Sequence, residues 1–228
     1  MEEYLEILQK NRLFEGIPCE VIRTAILPYS TVKKYDRRMA LFLPNDRVTR
    51  VNILLSGRVK LVYYMENGDQ DIRNLILPPK LIGVDLICTR TKLSPYQAVA
   101  VEPCTVLSFP SELILRPGRL PEKDRLTCTD NLLLILSHIN MQNEYRLAIL
   151  AQNGLRERIR VYLTMQANKA QSKTFRIPFS REEMAAFLRV NRSCLSHELS
   201  RMEKEGFLRF SKNEFTLLTR YDAAVLPE

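Results

Sequence analysis

The stretch "FSREEMAAFLRVNRSCLSHELSRMEKEGFLRF", residues 179–210, holds two short helical patterns with no Gly or Pro between them. Ser180 and Glu183 have the spacing of a capping box. Hydroxyl and carboxylate there each satisfy a backbone N–H that a first helical turn leaves open. The helix opened by Ser180 is expected to bury Met184, Ala185 and Phe187 or Leu188. "RVN" ends it, and Asn191 is a suitable N-cap for the next. That second helix, about 192–204, carries Leu195, Leu199 and Met202 on one side, at spacings of four and three. Arg192, Ser193, Ser196, His197 and, a turn on, Arg201 fall on the other side. Gly206 is a helix stop, and "FLRF" and "EFTLL" around "SKN" read as a two-stranded hairpin.

Helix, tight turn, helix, hairpin is a winged helix-turn-helix. The N-terminal residues of its second helix meet base edges in the major groove. Arg192 can contact guanine through both arms of its guanidinium, and Ser193, Ser196 and His197 can donate or accept. A merely solvated helix face is the competing reading. The cap, the short turn, the hairpin and the local charge weigh against it.

The charge is unevenly spread. The whole chain of 228 residues carries +8. Residues 154–220 hold 14 Lys and Arg against 7 Asp and Glu, so most of the excess lies in the last third. That is the footprint of a module that binds a polyanion. Lys169, Lys173, Arg181 and Lys212 are candidate phosphate contacts there.

Working back from this module, "QNG" at 152–154 reads as a hinge, with a further helix over "LRERIRVYLTMQANKA". Before the hinge, 121–153 has helical period. Leu132, Ile135 or Leu136, Ile139, Asn143, Leu147 and Leu150 fall near one stripe, spaced as in a coiled-coil seam. A second copy of the chain is the economical way to cover it, giving a two-fold dimer. An intramolecular core helix is the alternative. From about residue 28 to 110, short β-rich runs are broken by turn residues every 8–12 positions. Gly57 marks one turn, and Asn67-Gly68 is a strong hairpin signal. This suggests a small β-roll of jelly-roll type. Residues 4–27 show helical spacing. The expected architecture is therefore α+β in three parts. They are a β-roll sensor domain over 1–120, a dimerisation helix over 121–153, and a winged helix-turn-helix domain over 154–228.

Several classes are disfavoured. The longest purely apolar run, "LLLIL", is far short of the roughly 20 residues a membrane-spanning helix needs. No export signal is recognisable, so a cytoplasmic protein without membrane partners is expected. The five cysteines, Cys19, Cys88, Cys104, Cys128 and Cys194, are scattered and odd in number, which disfavours a disulfide framework. No CxxC, HxxxH or HExxH spacing occurs, so no metal and no cofactor is expected. An enzyme of the small β-roll type needs several metal ligands. The two histidines, His138 and His197, lie in different segments and cannot supply them. A protein-interaction module that turns its basic face to an acidic partner remains as the rival from a different class.

"SREEMAAFLRVNRSCLSHELSRMEKEGFL" resembles the DNA-binding signature of the Crp/Fnr family of bacterial transcription regulators. "LFEGIPCEVI" is similar to the family's N-terminal helix, and "VNILLSGRVKLVYYMENG" to its cyclic-nucleotide-binding-type β-roll. The resemblance covers about residues 5–220. It implies a homodimer that binds a two-fold site in double-stranded DNA and works with RNA polymerase. By position, Arg192, Ser193, Ser196 and His197 fall on base-reading positions, and Ser180 and Arg181 on phosphate-contacting ones. The sequence departs from the pattern at three places. Arg189 stands where the inter-helix turn commonly has Gly, Ser193 where the best-known members carry Glu, and His197 where they carry Arg. Their consensus sites therefore do not transfer.

The resemblance also bears on the effector. Members that bind cyclic AMP use a Gly-Glu pair and a later Arg-Ser pair. Here the first reads Gly83-Val84, with Asp85 next, and the second aligns with Ser94-Pro95, so the phosphate-binding Arg is missing. An iron–sulfur cluster would need several N-terminal cysteines, and only Cys19 is there. Haem would need an axial ligand, for which His138 is the sensor-side histidine. The expectation is a small-molecule effector other than cyclic AMP, or none, with a redox- or haem-responsive member of the family as the alternative. A pocket between β-roll and long helix would be lined near Gly83, Val84, Asp85, Ser94, Tyr96 and Asn131.

Overall fold

In a computed structural model of the chain, residues 2–64 and 70–218 are described. The Asn67-Gly68 turn expected above lies outside them.

The N-terminal segment is a run of short helical turns rather than one helix. It includes α1 (Leu5–Gln9) and α2 (Cys19–Val21), with tighter or wider turns between and after them. Its apolar positions nonetheless converge: Leu8, Leu13, Ile22 and Ile26 are fully buried. Among the described residues, eight strands follow. They are β1 (Thr31–Tyr35), β2 (Ala40–Phe42), β3 (Arg50–Ser56), β4 (Val59–Tyr64), β5 (Gln70–Ile76), β6 (Leu81–Ile82), β7 (Gln97–Ala100) and β8 (Cys104–Pro110). They form two four-stranded sheets, in the orders β1-β8-β3-β6 and β2-β7-β4-β5. The pairings resolved within them are antiparallel, as in Asn52 opposite Ser108 and Leu61 opposite Ala98. Val51, Ile53, Val106 and Phe109 point into the core, where Phe109 lies 6.0 Å from Phe14 between ring centroids. This is the expected β-roll. Gly57 makes the tight β3–β4 turn. Its φ is +82°, and a Cβ there would sit 2.6 Å from the Cys104 side chain, so no other residue fits.

Two short helices, α3 (Val84–Ile87) and α4 (Glu112–Leu115), interrupt and close the roll. The long helix α5 runs from Glu122 to Leu150. Here the structure corrects the sequence reading. Much of the stripe assigned to a partner seam is the face that α5 turns to its own domain. Leu132 is buried in the β-roll core, with Ile135, Leu136 and Ile139 packed against it. The exposed apolar residues of α5 are instead Leu126, Leu133, Leu134, Met141 and Leu147. Leu147 alone is common to both sets. Three-and-four spacing marks an apolar face but does not say what covers it.

Among the described residues, a second compact unit holds residues 70–72 and 141–218; the remaining ones form the first. In the second unit, α6 (Leu155–Ala170) leads to β9 (Thr174–Arg176), α7 (Arg181–Phe187) and α8 (Arg192–Lys204). The hairpin of β10 (Leu208–Ser211) and β11 (Glu214–Leu217) follows. β9 adds a third strand beside β11, which periodicity did not reveal in its three residues. Tyr162, Phe179 and Phe187 cluster at the centre, with centroid separations of 5.0–6.2 Å.

Candidate nucleic-acid interface

The helix-turn-helix is built as its sequence implies. Ser180 Oγ accepts from the Glu183 N–H, and the Glu183 carboxylate accepts from the Ser180 N–H at 2.7 Å, completing the capping box. Met184, Ala185, Phe187 and Leu188 are all buried. The turn carries Arg189 at φ +57°, the left-handed conformation expected where relatives have Gly. Asn191 caps α8 through its side-chain oxygen, which accepts from the Cys194 N–H at 2.8 Å. Leu195, Leu199 and Met202 are buried beneath.

That burial fixes which side of α8 faces outward. Arg192, Ser193, Cys194 and His197 are exposed, and Ser196 is half-buried. Ser193 donates to Asn191 Oδ1 at 2.8 Å, so its hydroxyl is oriented by the cap and keeps its lone pairs free to accept. Arg201 is placed differently from this group. It pairs with Glu205 at 3.3 Å and Glu198 at 3.7 Å. Those two acids are also held by Arg156 of α6, at 2.6 Å to Glu198 and 2.7 Å to Glu205. Arg156 holds the Glu205 carboxyl below its usual range against the opposing effect of burial, and Arg201 adds to the lowering. This network fastens the back half of α8 to α6. Nothing in the local sequence signalled Arg156, whose partners are 42 and 49 residues away.

The profile of a Crp-like helix-turn-helix domain matches residues 157–221, and that of a cyclic nucleotide-binding domain matches residues 32–116. The chain belongs to the Crp/Fnr family of transcription regulators. It is 24% identical over 184 residues to the transcriptional activator protein FnrA of Stutzerimonas stutzeri, covering 78% of this chain and 72% of that protein. It is 26% identical over 192 residues to the global nitrogen regulator of a Nostoc species, covering 82% and 84%. The c-di-GMP responsive global regulator CLP of Xanthomonas campestris has the same fold. The TM-score is 0.70 at 15% identity, over 89% of this chain and all of that one. This Crp/Fnr chain has no helix, among its described residues, long and apolar enough to cross a membrane.

The wing of this family member is the β10–β11 hairpin. Lys212 stands exposed at its tip with φ +53°. Arg181, expected on phosphate, is turned inward. Its Nη2 donates to the Lys212 carbonyl at 3.0 Å, and its guanidinium lies over Phe210 and Phe215.

In the first unit, five of the six expected effector residues come together. Gly83, at φ +66°, approaches Phe42 so closely that a Cβ would lie 3.0 Å from its ring. Val84 is buried, and Asp85 accepts from the Tyr96 hydroxyl at 2.7 Å. The Ser94 hydroxyl donates to the Tyr96 carbonyl at 2.6 Å. Burial, then Asp85, raises the Tyr96 hydroxyl well above its ordinary pKa, so it stays a donor. Asn131 is engaged elsewhere, donating to the carbonyls of Leu13 and Glu15 at 3.1 and 2.8 Å. Phe42 and Tyr63 pack on Tyr96, and Arg73 lies over Tyr63. These three were missed because strands far apart in sequence bring them here.

Proposed function

We propose that the chain acts as a homodimer on a two-fold symmetric site in double-stranded DNA. One recognition helix enters each of two major grooves about 34–36 Å apart. The observation that supports this reading is the outward face of α8. Arg192, Ser193 and His197 are exposed on a helix whose opposite side is buried and whose N-terminus is capped by Asn191. Arg192 is assigned to guanine, with Ser193, Ser196 and His197 completing the readout. Ser180 and Lys212 meet phosphates. Arg201 is held by acids and contributes to the field more than to contact. The dimer seam is the exposed face of α5, carrying Leu126, Leu133, Leu134, Met141 and Leu147.

Any effector is a small molecule other than cyclic AMP, because Ser94-Pro95 stands where the cyclic-AMP-binding pattern has its phosphate-binding Arg, and a phosphate buried without such a partner is costly. The protein works in the cytoplasm with RNA polymerase. Selection from a random duplex library by the purified protein tests the central claim. An enriched two-fold motif is expected. No enrichment from a folded dimer, with or without added metabolites, would overturn it.

A further inference from the structure

Arg181 heads α7, and its side chain runs to the wing. The Lys212 carbonyl accepts from Nη2 at 3.0 Å. The guanidinium carbon lies 4.8 Å from the Phe210 ring centroid and 5.5 Å from that of Phe215. Those two rings face each other across the β10–β11 register and stack at 5.9 Å. Arg181 thus covers the apolar face of the hairpin and grips the backbone of its turn. The turn is held from the other side as well. The Ile177 N–H donates to the Asn213 carbonyl at 2.9 Å, and Asn213 Nδ2 donates to the Ile177 carbonyl at 3.2 Å. Between the two clamps, the exposed Lys212 is left with a left-handed backbone that a non-glycine residue adopts at some cost. Burial, then the nearby charge of Arg192, pulls the Arg181 pKa below its ordinary value, in keeping with a guanidinium withdrawn from water.

We propose that Arg181 is a positioning residue, which sets the wing turn so that Lys212, not Arg181, meets the DNA phosphate. This rests on the DNA-binding reading above. The chemistry requires arginine. Only a planar guanidinium stacks on the paired rings while its fork reaches a carbonyl; a lysine ammonium is a hydrated point charge that does neither well.

The test compares full-length R181K, R181Q, K212Q and R181Q/K212Q with the wild type. Amide hydrogen exchange at Ile177, whose N–H donates to the Asn213 carbonyl of the wing turn, is read first, without DNA. Faster exchange in R181K, by about tenfold, is expected. Unchanged exchange overturns the proposal. Salt-dependent binding to the selected duplex is read second. R181K is expected to lose as much affinity as R181Q. Each single variant is expected to lower the slope of log K against log salt by about 0.9, the share of one phosphate contact. The double variant is expected to be no worse than the singles, because one interaction is removed twice. Retained affinity in R181K, or additive losses in the double variant, overturns the proposal. If the wild type selects no duplex, the DNA reading fails, and the exchange comparison still decides what Arg181 does.

Discussion

Arg189 donates from Nη2 to Asp71 Oδ2 at 2.9 Å, and Asp71 Oδ1 accepts from Arg146 of α5. One carboxylate therefore holds the turn between α7 and α8 to the C-terminal half of the long helix. Asp71 and Arg146 are both less than 8% exposed. A buried pair of this kind adds little net stability, yet breaking it is costly because the surviving charge has no water to return to. Asp71→Ala is expected to destabilise the second unit by about 3–5 kcal/mol in urea unfolding. A change under about 1 kcal/mol would mean that the pair is not formed in solution.

The same carboxylate gives a pH dependence. Burial alone would raise the Asp71 pKa, but hydrogen bonds and charge from Arg189 and Arg146 outweigh it and hold the group below its ordinary 3.8. A pKa depressed in the folded state means that the stabilisation is full above the unfolded value and disappears as pH falls through the folded one. Stability of the wild type should thus drop as pH is lowered from about 4. Asp71→Asn should flatten that limb when Tm is followed against pH. Parallel profiles for the two proteins would contradict the assignment.

Asn191 serves two residues at once, accepting from the Cys194 N–H and the Ser193 hydroxyl. Asn191→Ala is expected to cost about 0.5–2 kcal/mol of stability through the lost cap. DNA affinity should fall further than stability alone explains, because Ser193 loses its orientation. Equal stability of mutant and wild type in thermal unfolding would remove the cap from the account.

Arg192 is exposed and carries no burden in the core. Arg192→Ala is expected to leave Tm unchanged and to weaken duplex binding by about 1–3 kcal/mol, with relaxed preference at one base pair. Repeating the library selection with the variant checks this, and an unaltered motif would refute the base assignment.

Leu133 and Leu134 are 58% and 70% exposed on α5. Glutamate at both should leave the chain folded and shift it from dimer to monomer in sedimentation. Binding to a two-fold site should weaken much more than binding to a half-site. A variant that still sediments as a dimer would place the seam elsewhere.

The sequence alone determined the elements whose interactions span a few residues. The Ser180–Glu183 box, the Asn191 cap, the Gly206 stop and the burial of Leu195, Leu199 and Met202 were all legible. In each case, donor, acceptor or apolar neighbour lies within about one helical turn, so spacing encodes the contact. The β-roll was legible as a class, from strand length and turn residues, and Gly57 as a turn, from its freedom at positive φ. What only the tertiary structure decided was where side chains with more than one available partner go. Which apolar face of α5 meets the β-roll depends on Leu132 finding the core and Leu133 not. Arg181 reaches a carbonyl 31 residues away, and Asp71 meets arginines 75 and 118 residues away. A charged residue looks the same in sequence whether it awaits a phosphate or is already paired. Its partner is chosen by the packing of elements that local periodicity forms but does not dock.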